Sequence, residues 1–388
     1  MSERNQSLLD RRQRLLGPSY RLFYDDPVHI VRGEGSWLFD ADGKRYLDLY
    51  NNVPHVGHCH PLVVEAIQKQ VATLNTHTRY LHDNVLDYAE RLLATFEDEL
   101  DTALFCCTGS EANELAMRIA RAYTGGTGFI VTSYAYHGNT QATYEITTAD
   151  IPAEKVPAHV ATVPVPDPYR GAHGSDGEAW AQHLGEALAT LASRGVKPAA
   201  FVIDTIASSG GVIAPPPGYL AACARIIREA GALFIADEVQ PGFGRTGSHF
   251  WGYQADGLVP DIVTMGKPMG NGHPLAGVVT RRDIVDAFAD TGDYFNTFGG
   301  NPVSAAAGLA VLDVIEQEDL VRNAAETGGA LIDEFRALGE RHELVGDVRG
   351  NGLYIGLELV LDRDSKEPAA AESRRLINRL RERGLLTS

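Results

Sequence analysis

The chain has 388 residues, 44% hydrophobic and 22% charged, which suits a soluble globular protein of two or three structural units. A net charge of −17 disfavours nucleic acid and anionic membranes as partners. No stretch approaches a membrane span, and residues 1–14 lack the apolar core of a signal peptide. In chain order, residues 8–16 predict a short helix closed by Gly17-Pro18. Residues 29–39 read as a strand and turn, and Asp42-Gly43 joins them to a second strand at 45–49 as a hairpin. Helices follow at 61–74 and 85–93. From about residue 100, apolar runs alternate with helical segments. The strands fall at 102–107, 128–132, 199–204, 232–237, 261–265 and 277–280, with helices at 110–123, 180–193 and 219–230. That alternation predicts a mostly parallel sheet covered on both faces. A long helix runs from Asn301-Pro302 to about Glu316, and the tail from about Leu344 is α+β. The expected organisation is a large α/β domain over 56–302 and a small α+β domain built from 1–55 with 303–388.

Chemistry concentrates at two strand ends. Lys267 is one of only six lysines, and it alone lies between an apolar run, Asp261-Ile262-Val263-Thr264-Met265, and a glycine-rich turn. A lysine in low dielectric gives up its proton more readily, and its neutral amine attacks a carbonyl. Thirty residues upstream, Leu233-Phe234-Ile235-Ala236 ends in Asp237-Glu238. A lysine for an aldehyde and a carboxylate for a pyridine nitrogen are the two requirements of pyridoxal 5'-phosphate. Both residues would stand at carboxyl ends of strands, where open α/β sheets bind ligands.

Other motifs are weaker alone. Thr108-Gly109-Ser110-Glu111 opens a helix as a T-x-x-E capping box, and its free N–H groups suit a phosphate. Tyr136 in Tyr136-His137-Gly138 can stack on a ring or fill a core. Gly242-Phe243-Gly244-Arg245-Thr246-Gly247 matches G-x-G-x-x-G, but Glu238-Val239-Gln240-Pro241 separates it from the strand and no helix start follows. A dinucleotide site is therefore discounted. His55, His58, Cys59 and His60 fit no common zinc spacing, so no metal is expected. The four cysteines, Cys59, Cys106, Cys107 and Cys223, form no C-x-x-C and read as reduced, mostly buried thiols of a cytoplasmic protein.

Taken together, the chain resembles class III (ω-aminotransferase-like) pyridoxal-phosphate enzymes of fold type I over nearly its whole length. The resemblance rests on Gly109-Ser110-Glu111-Ala112-Asn113, Tyr136-His137-Gly138, the segment Asp237 to Gly247, Gly266-Lys267 and Thr297-Phe298-Gly299-Gly300-Asn301-Pro302. It implies a seven-stranded sheet domain with a small α+β domain, and a homodimer with active sites at the subunit interface. Lys267 would hold the cofactor's aldehyde and Asp237 its pyridine nitrogen. Gly109 and Ser110 would take the phosphate, joined by Thr297 of the other subunit. Tyr136 would stack on the ring and Gln240 would lie near the phenolic oxygen. His137 and Asp204 complete the expected cofactor contacts.

A narrower resemblance is to the family's phospho-lyase branch. It is carried by Leu16-Gly17-Pro18-Ser19-Tyr20-Arg21, Asn52-Val53-Pro54-His55-Val56-Gly57-His58-Cys59-His60-Pro61, Arg79-Tyr80-Leu81-His82-Asp83-Asn84 and Tyr294-Phe295-Asn296-Thr297. Where typical aminotransferases carry E-P-I-Q-G-E-G-G, this chain has Asp204-Thr205-Ile206-Ala207-Ser208-Ser209-Gly210-Gly211. The glutamate that manages a substrate-carboxylate arginine is thus reduced to Asp204. The family also continues past the point where this chain ends, at Ser388. The branch implies elimination of phosphate from O-phosphoethanolamine, giving acetaldehyde, ammonia and phosphate. Phosphohydroxylysine is the second possible substrate, and an ω-aminotransferase using a keto acid is the alternative reaction. Intact Lys267 and Asp237 weigh against a non-enzymatic binding protein. Arg79, Tyr20, Arg21 and Asn52 are the candidates for holding the substrate.

Overall fold

In the computed structural model, which describes residues 3–388, the chain opens with α1 (Glu3–Leu16) and an antiparallel meander of β1 (Ile30–Glu34), β2 (Trp37–Asp40) and β3 (Arg45–Asp48). The Asp42-Gly43 turn forms as expected. Asp40 Oδ1 accepts from the N–H groups of Asp42 and Lys44, and Gly43 takes a φ of +83°. Helices α2 (Pro61–Val71) and α3 (Asp83–Leu93) follow. The central layer begins with β4 (Thr102–Cys106), α4 (Gly109–Thr124), β5 (Gly128–Thr132), α5 (Gln141–Glu145) and β6 (Val160–Val163). It continues through α6 (Gly177–Ala181), α7 (His183–Ser193), β7 (Pro198–Asp204), α8 (Tyr219–Glu229), β8 (Leu233–Asp237), β9 (Ile262–Met265) and β10 (Ala276–Thr280). Helices α9 (Arg282–Ala289), α10 (Pro302–Gln317) and α11 (Leu320–Arg341) lead to the hairpin β11 (Val345–Asn351) and β12 (Tyr354–Leu359), then α12 (Ala370–Glu382) and β13 (Leu385–Leu386).

The large sheet has the order β4-β10-β9-β8-β7-β5-β6, and only β10 runs against the rest. Its central strands are apolar throughout because both faces are covered. Strand parity divides their side chains between two cores. Ile130, Phe201, Phe234 and Val263 join one, and Phe129, Ala200, Ile235 and Ile262 join the other. Each large side chain buried in this way contributes roughly 1.5–3 kcal/mol. The parallel direction brings the carboxyl ends of β4, β7, β8 and β9 to one edge, and with them Asp204, Asp237 and the Lys267 turn.

Three details depart from the sequence reading. The seventh strand, β6, has only four residues, with Thr162 turned to solvent, and leaves no periodic signal. The helix expected at 180–193 is two helices, with a tight Gly185 N–H to Gln182 O bond where they meet. Cys59 is exposed, while Cys106 and Cys223 are buried, and all four thiols are free.

The chain's end returns to its beginning: β13 pairs in parallel with β3, Leu385 opposite Leu47. Helix α10, which starts at the expected boundary near 302, packs against α2, α3 and the Lys267 turn. No helix among the described residues is long and apolar enough to cross a membrane.

Candidate active site

Thr108 caps α4 as its T-x-x-E sequence predicts. Glu111 N–H donates to Thr108 Oγ1 at 3.2 Å, and Glu111 Oε2 accepts from the N–H groups of Thr108 at 2.9 Å and Cys107 at 2.8 Å. The first intrahelical bond runs from Ala112 to Thr108 O, so the N–H groups of Gly109 and Ser110 lie ahead of it. Two backbone segments close around this helix start. A Cβ on Gly266 would sit 3.3 Å from Gly109 Cα, and one on Gly138 would sit 2.6 Å from Ser110 Oγ. Gly138 also takes a φ of +141°, which a side chain rarely adopts. Asn139 N–H donates to Ser110 Oγ at 3.2 Å and ties the Tyr136 loop to the helix.

Asp237 ends β8 with its carboxylate only 5% exposed. Oδ2 accepts from His137 Nδ1 at 2.7 Å and from Asn113 Nδ2 at 2.8 Å, and Oδ1 accepts from Val239 N–H at 3.1 Å. Asn113 also donates to His137 O and accepts from Thr264 Oγ1 at 2.6 Å, one strand over. A carboxylate on Nδ1 fixes the imidazole's tautomer and orientation. His137 Nε2 is buried without a partner.

Lys267 begins a single helical turn, Lys267–Gly270, directly after β9, and is half-buried. Asn271, with a φ of +49°, closes that turn. Its side chain accepts from Val56 N–H and donates to Gly57 O, both at 2.9 Å, so the turn is pinned to the loop after β3.

Asp204 pairs in register with Asp237 across β7 and β8. It accepts from the Ser208 N–H at 3.0 Å and from the Ser208 hydroxyl, which in turn meets Tyr354 OH from β12. Its hydrogen-bond partners include no arginine. Burial, and then the Asp237 charge, push its pKa up to about 7. Burial also raises neighbouring Glu238 to about 7, against hydrogen bonds from Gly252 N–H, Thr205 Oγ1 and Tyr253 N–H.

Asp204 has a stability consequence. Its folded pKa lies above the unfolded value, so its contribution is complete below about pH 4 and is lost as pH rises through 7. In cofactor-free protein, Asp204→Asn should gain on the wild type between pH 4 and 7 by on the order of a few kcal/mol and hold that gain above 7. Melting temperatures of the two proteins across that range test this. A difference independent of pH would show that Asp204 stays ionised in the fold.

The remaining site residues are dispersed. Tyr136 is 43% exposed, and Gln240 lies beside Tyr354. Thr297 is exposed, next to Asn296, whose amide donates to Glu111 Oε1 at 3.4 Å near the start of α4. Arg79 sits over the Phe295 ring at 4.1 Å on the same exposed face. Tyr20 and Arg21 are exposed, with Tyr20 O accepting from Arg12. No hydrogen bond joins Arg79, Tyr20 or Arg21 to the Asp237 cluster among the described residues, whereas Asn52 O accepts from Arg245 of the turn after β8. His55, His58 and His60 do not converge, since they bond to Phe243 O, Asp48 and Glu318 in turn. Gly242 to Gly247 form successive turns, followed by a short 3-10 turn at Gly252–Asp256 rather than an α-helix.

Four residues with no role assigned from sequence join the site: Asn113, Ser208, Tyr354 and Arg245. Asn113 did leave a signal, as a polar residue among the apolar neighbours Ala112, Leu115, Ala116 and Met117 of α4.

The family model described as aminotransferase class-III matches residues 23–388. "Alanine--glyoxylate aminotransferase 2-like" of Drosophila melanogaster is 43% identical over 96% of this chain and 78% of its own length. "Ethanolamine-phosphate phospho-lyase homolog 1" of Caenorhabditis elegans is 41% identical over 94% of this chain and 82% of its own. A solved phospholyase from Arthrobacter, in complex with phosphoethanolamine, superposes with a TM-score of 0.94 at 46% identity, covering 98% of this chain and 90% of that one.

Proposed function

Because the chain belongs to the class III aminotransferase family, whose cofactor is pyridoxal 5'-phosphate, we propose that it is a phospho-lyase eliminating phosphate from O-phosphoethanolamine. The observation that carries this reading is the likeness to the Arthrobacter phospholyase solved with phosphoethanolamine. The residues present fit the cofactor. Open N–H groups at Gly109 and Ser110 suit its phosphate, and the buried Asp237 carboxylate suits a cationic pyridine nitrogen. Tyr136, 43% exposed on the loop tied to the start of α4, would stack on the ring, and Gln240 would lie near the phenolic oxygen. When bound, the cofactor supplies an electron sink for the carbon that bears the substrate amine.

The protein's own groups do the rest. Lys267 Nζ would hold the aldehyde at rest and, once freed by the substrate amine, would take the proton from that carbon. The carbon–oxygen bond to phosphate then breaks, and the leaving phosphate carries its electron pair. Asp237, held by His137 and Asn113, would keep the ring nitrogen protonated throughout. Tyr20, Phe23, Tyr80, Leu81, Phe295 and Phe298 are all exposed, Leu81 by 96%, in a soluble chain that would bury them against a second copy. Thr297 and Arg79 lie on that face and would serve the partner's site.

The aminotransferase reading is supported by the names of several relatives. It shares the first proton transfer but requires a keto acid. Cofactor-loaded protein given O-phosphoethanolamine and no keto acid should release inorganic phosphate in step with acetaldehyde. Amine transfer to pyruvate without phosphate release would replace this reading with the aminotransferase one.

A further inference from the structure

Arg245 is a half-buried cation with no counter-ion among the described residues. It lies in the turn after β8, inside the G-x-G-x-x-G run. The turn is fixed on both sides: a Cβ on Gly247 would lie 2.5 Å from Ala325 N of α11, and Leu353 N–H donates to Arg245 O at 3.1 Å. The guanidinium spends one nitrogen on neutral acceptors, with Nη2 donating to Asn52 O at 3.3 Å and to His55 Nδ1 at 2.9 Å. His55 Nε2 donates to Phe243 O at 2.7 Å, so Nδ1 carries the lone pair and the ring is neutral. Burial, and then Arg245 itself, hold His55 down to about 3. Arg245 Nε is buried without a partner, and Nη1 bonds to no described residue. The one acidic group acting on the guanidinium is the Tyr354 phenol, kept neutral by burial.

A guanidinium with its Nε buried and unpaired, and with only neutral acceptors on Nη2, has unused donors and uncompensated charge that suit an anion. Its surroundings lead back to the active site. Tyr354 continues through Ser208 to Asp204, beside Asp237. The loop carrying Asn52 and His55 is tied to the Lys267 turn through Val56 and Asn271. Arg245 is therefore the cation that both of these walls enclose.

We propose that Arg245 binds the phosphate of the substrate, which rests on the phospho-lyase reading above. Guanidinium donors suit phosphate oxygens through charge-assisted hydrogen bonds, and a dianion would neutralise the uncompensated charge. His55 and Asn52 are then positioning residues that aim the guanidinium.

The test uses cofactor-loaded wild type, Arg245→Gln and Arg245→Lys, with cofactor absorbance and melting temperature confirming that each is folded and loaded. Arg245→Gln should raise KM for phosphoethanolamine roughly 30-fold to several thousand-fold and weaken competitive inhibition by inorganic phosphate to match. Arg245→Lys should recover part of both. A loaded Arg245→Gln enzyme with wild-type KM and wild-type phosphate inhibition overturns the proposal. If Arg245→Gln does not fold, Arg245→Met, which also removes the charge, decides, because an unchanged KM there has the same meaning. Inhibition by acetate as strong as by phosphate, lost equally in Arg245→Gln, would assign the site to a carboxylate and overturn the phosphate assignment. Failure of the wild type to release phosphate would instead reject the phospho-lyase reading, and it is read separately from the inhibition.

Discussion

Lys267→Ala should bind the cofactor without covalent attachment and lose activity by on the order of 10⁴-fold, because in the proposed function one amine is both the aldehyde's anchor and the proton carrier. No other lysine is placed to substitute. Lys44, Lys197 and Lys366 donate to the carbonyls of Glu382, Thr124 and Tyr169, far along the chain from the site. Lys69 and Lys155 lie on the exposed helix α2 and on an exposed turn. Borohydride treatment should therefore fix cofactor to wild-type protein on the peptide containing Lys267, and on none in the variant. Lys267→Arg should behave like the alanine, because a guanidinium stays protonated and is not a nucleophile. The variant's melting temperature should hardly move, since Lys267 is half-buried and the turn is held by Asn271. A Lys267→Ala protein that retains turnover would place the proton carrier elsewhere and undo the mechanism.

The parts of this site that were legible in the sequence are those announced by local pattern. β8 and β9 are apolar on both faces, so Asp237 and the Lys267 turn stand out where each run stops. The Thr108 capping box is a four-residue signal and forms as such. What stayed hidden depends on distance in sequence. His137 and Asp237 are 100 residues apart, Asn113 and Thr264 are 151 apart, and Tyr354 reaches Ser208 across 146. No periodicity encodes which of these side chains will meet. The histidines at 55, 58 and 60 show the reverse error that spacing invites. Their closeness suggests a shared ligand, but Gly57 and Cys59 take positive φ and turn the three rings toward different partners. Arg245 was passed over for a related reason. Its glycines match a nucleotide motif and a family segment, whereas in the fold they let the turn press against α11 and leave the arginine half-buried.

Asp237→Asn keeps the shape at the end of β8 and removes its charge, which makes it the sharper probe of the electron sink. The carboxylate receives three donors, from His137, Asn113 and Val239, and offers none. An amide must turn its NH₂ toward at least one of them, and a buried donor left facing a donor costs about 1–3 kcal/mol. Asn113 could flip to relieve this, but its Oδ1 already accepts from Thr264 and its Nδ2 donates to His137 O. The larger loss follows from the ring nitrogen, whose proton would have no buried carboxylate to hold it. Removing one partner of a buried ion pair costs about 3–5 kcal/mol, or roughly two to four powers of ten in rate. Asp237→Asn should therefore lower kcat by about 10³-fold and weaken cofactor binding, while Asn113→Ala, which keeps the charge and loses one donor, should do much less. The ratio of the two variants separates charge from scaffolding. Should Asp237→Asn and Asn113→Ala fall together and by little, the carboxylate would be a brace for His137 and α4, and the electron sink would have to be sustained without it.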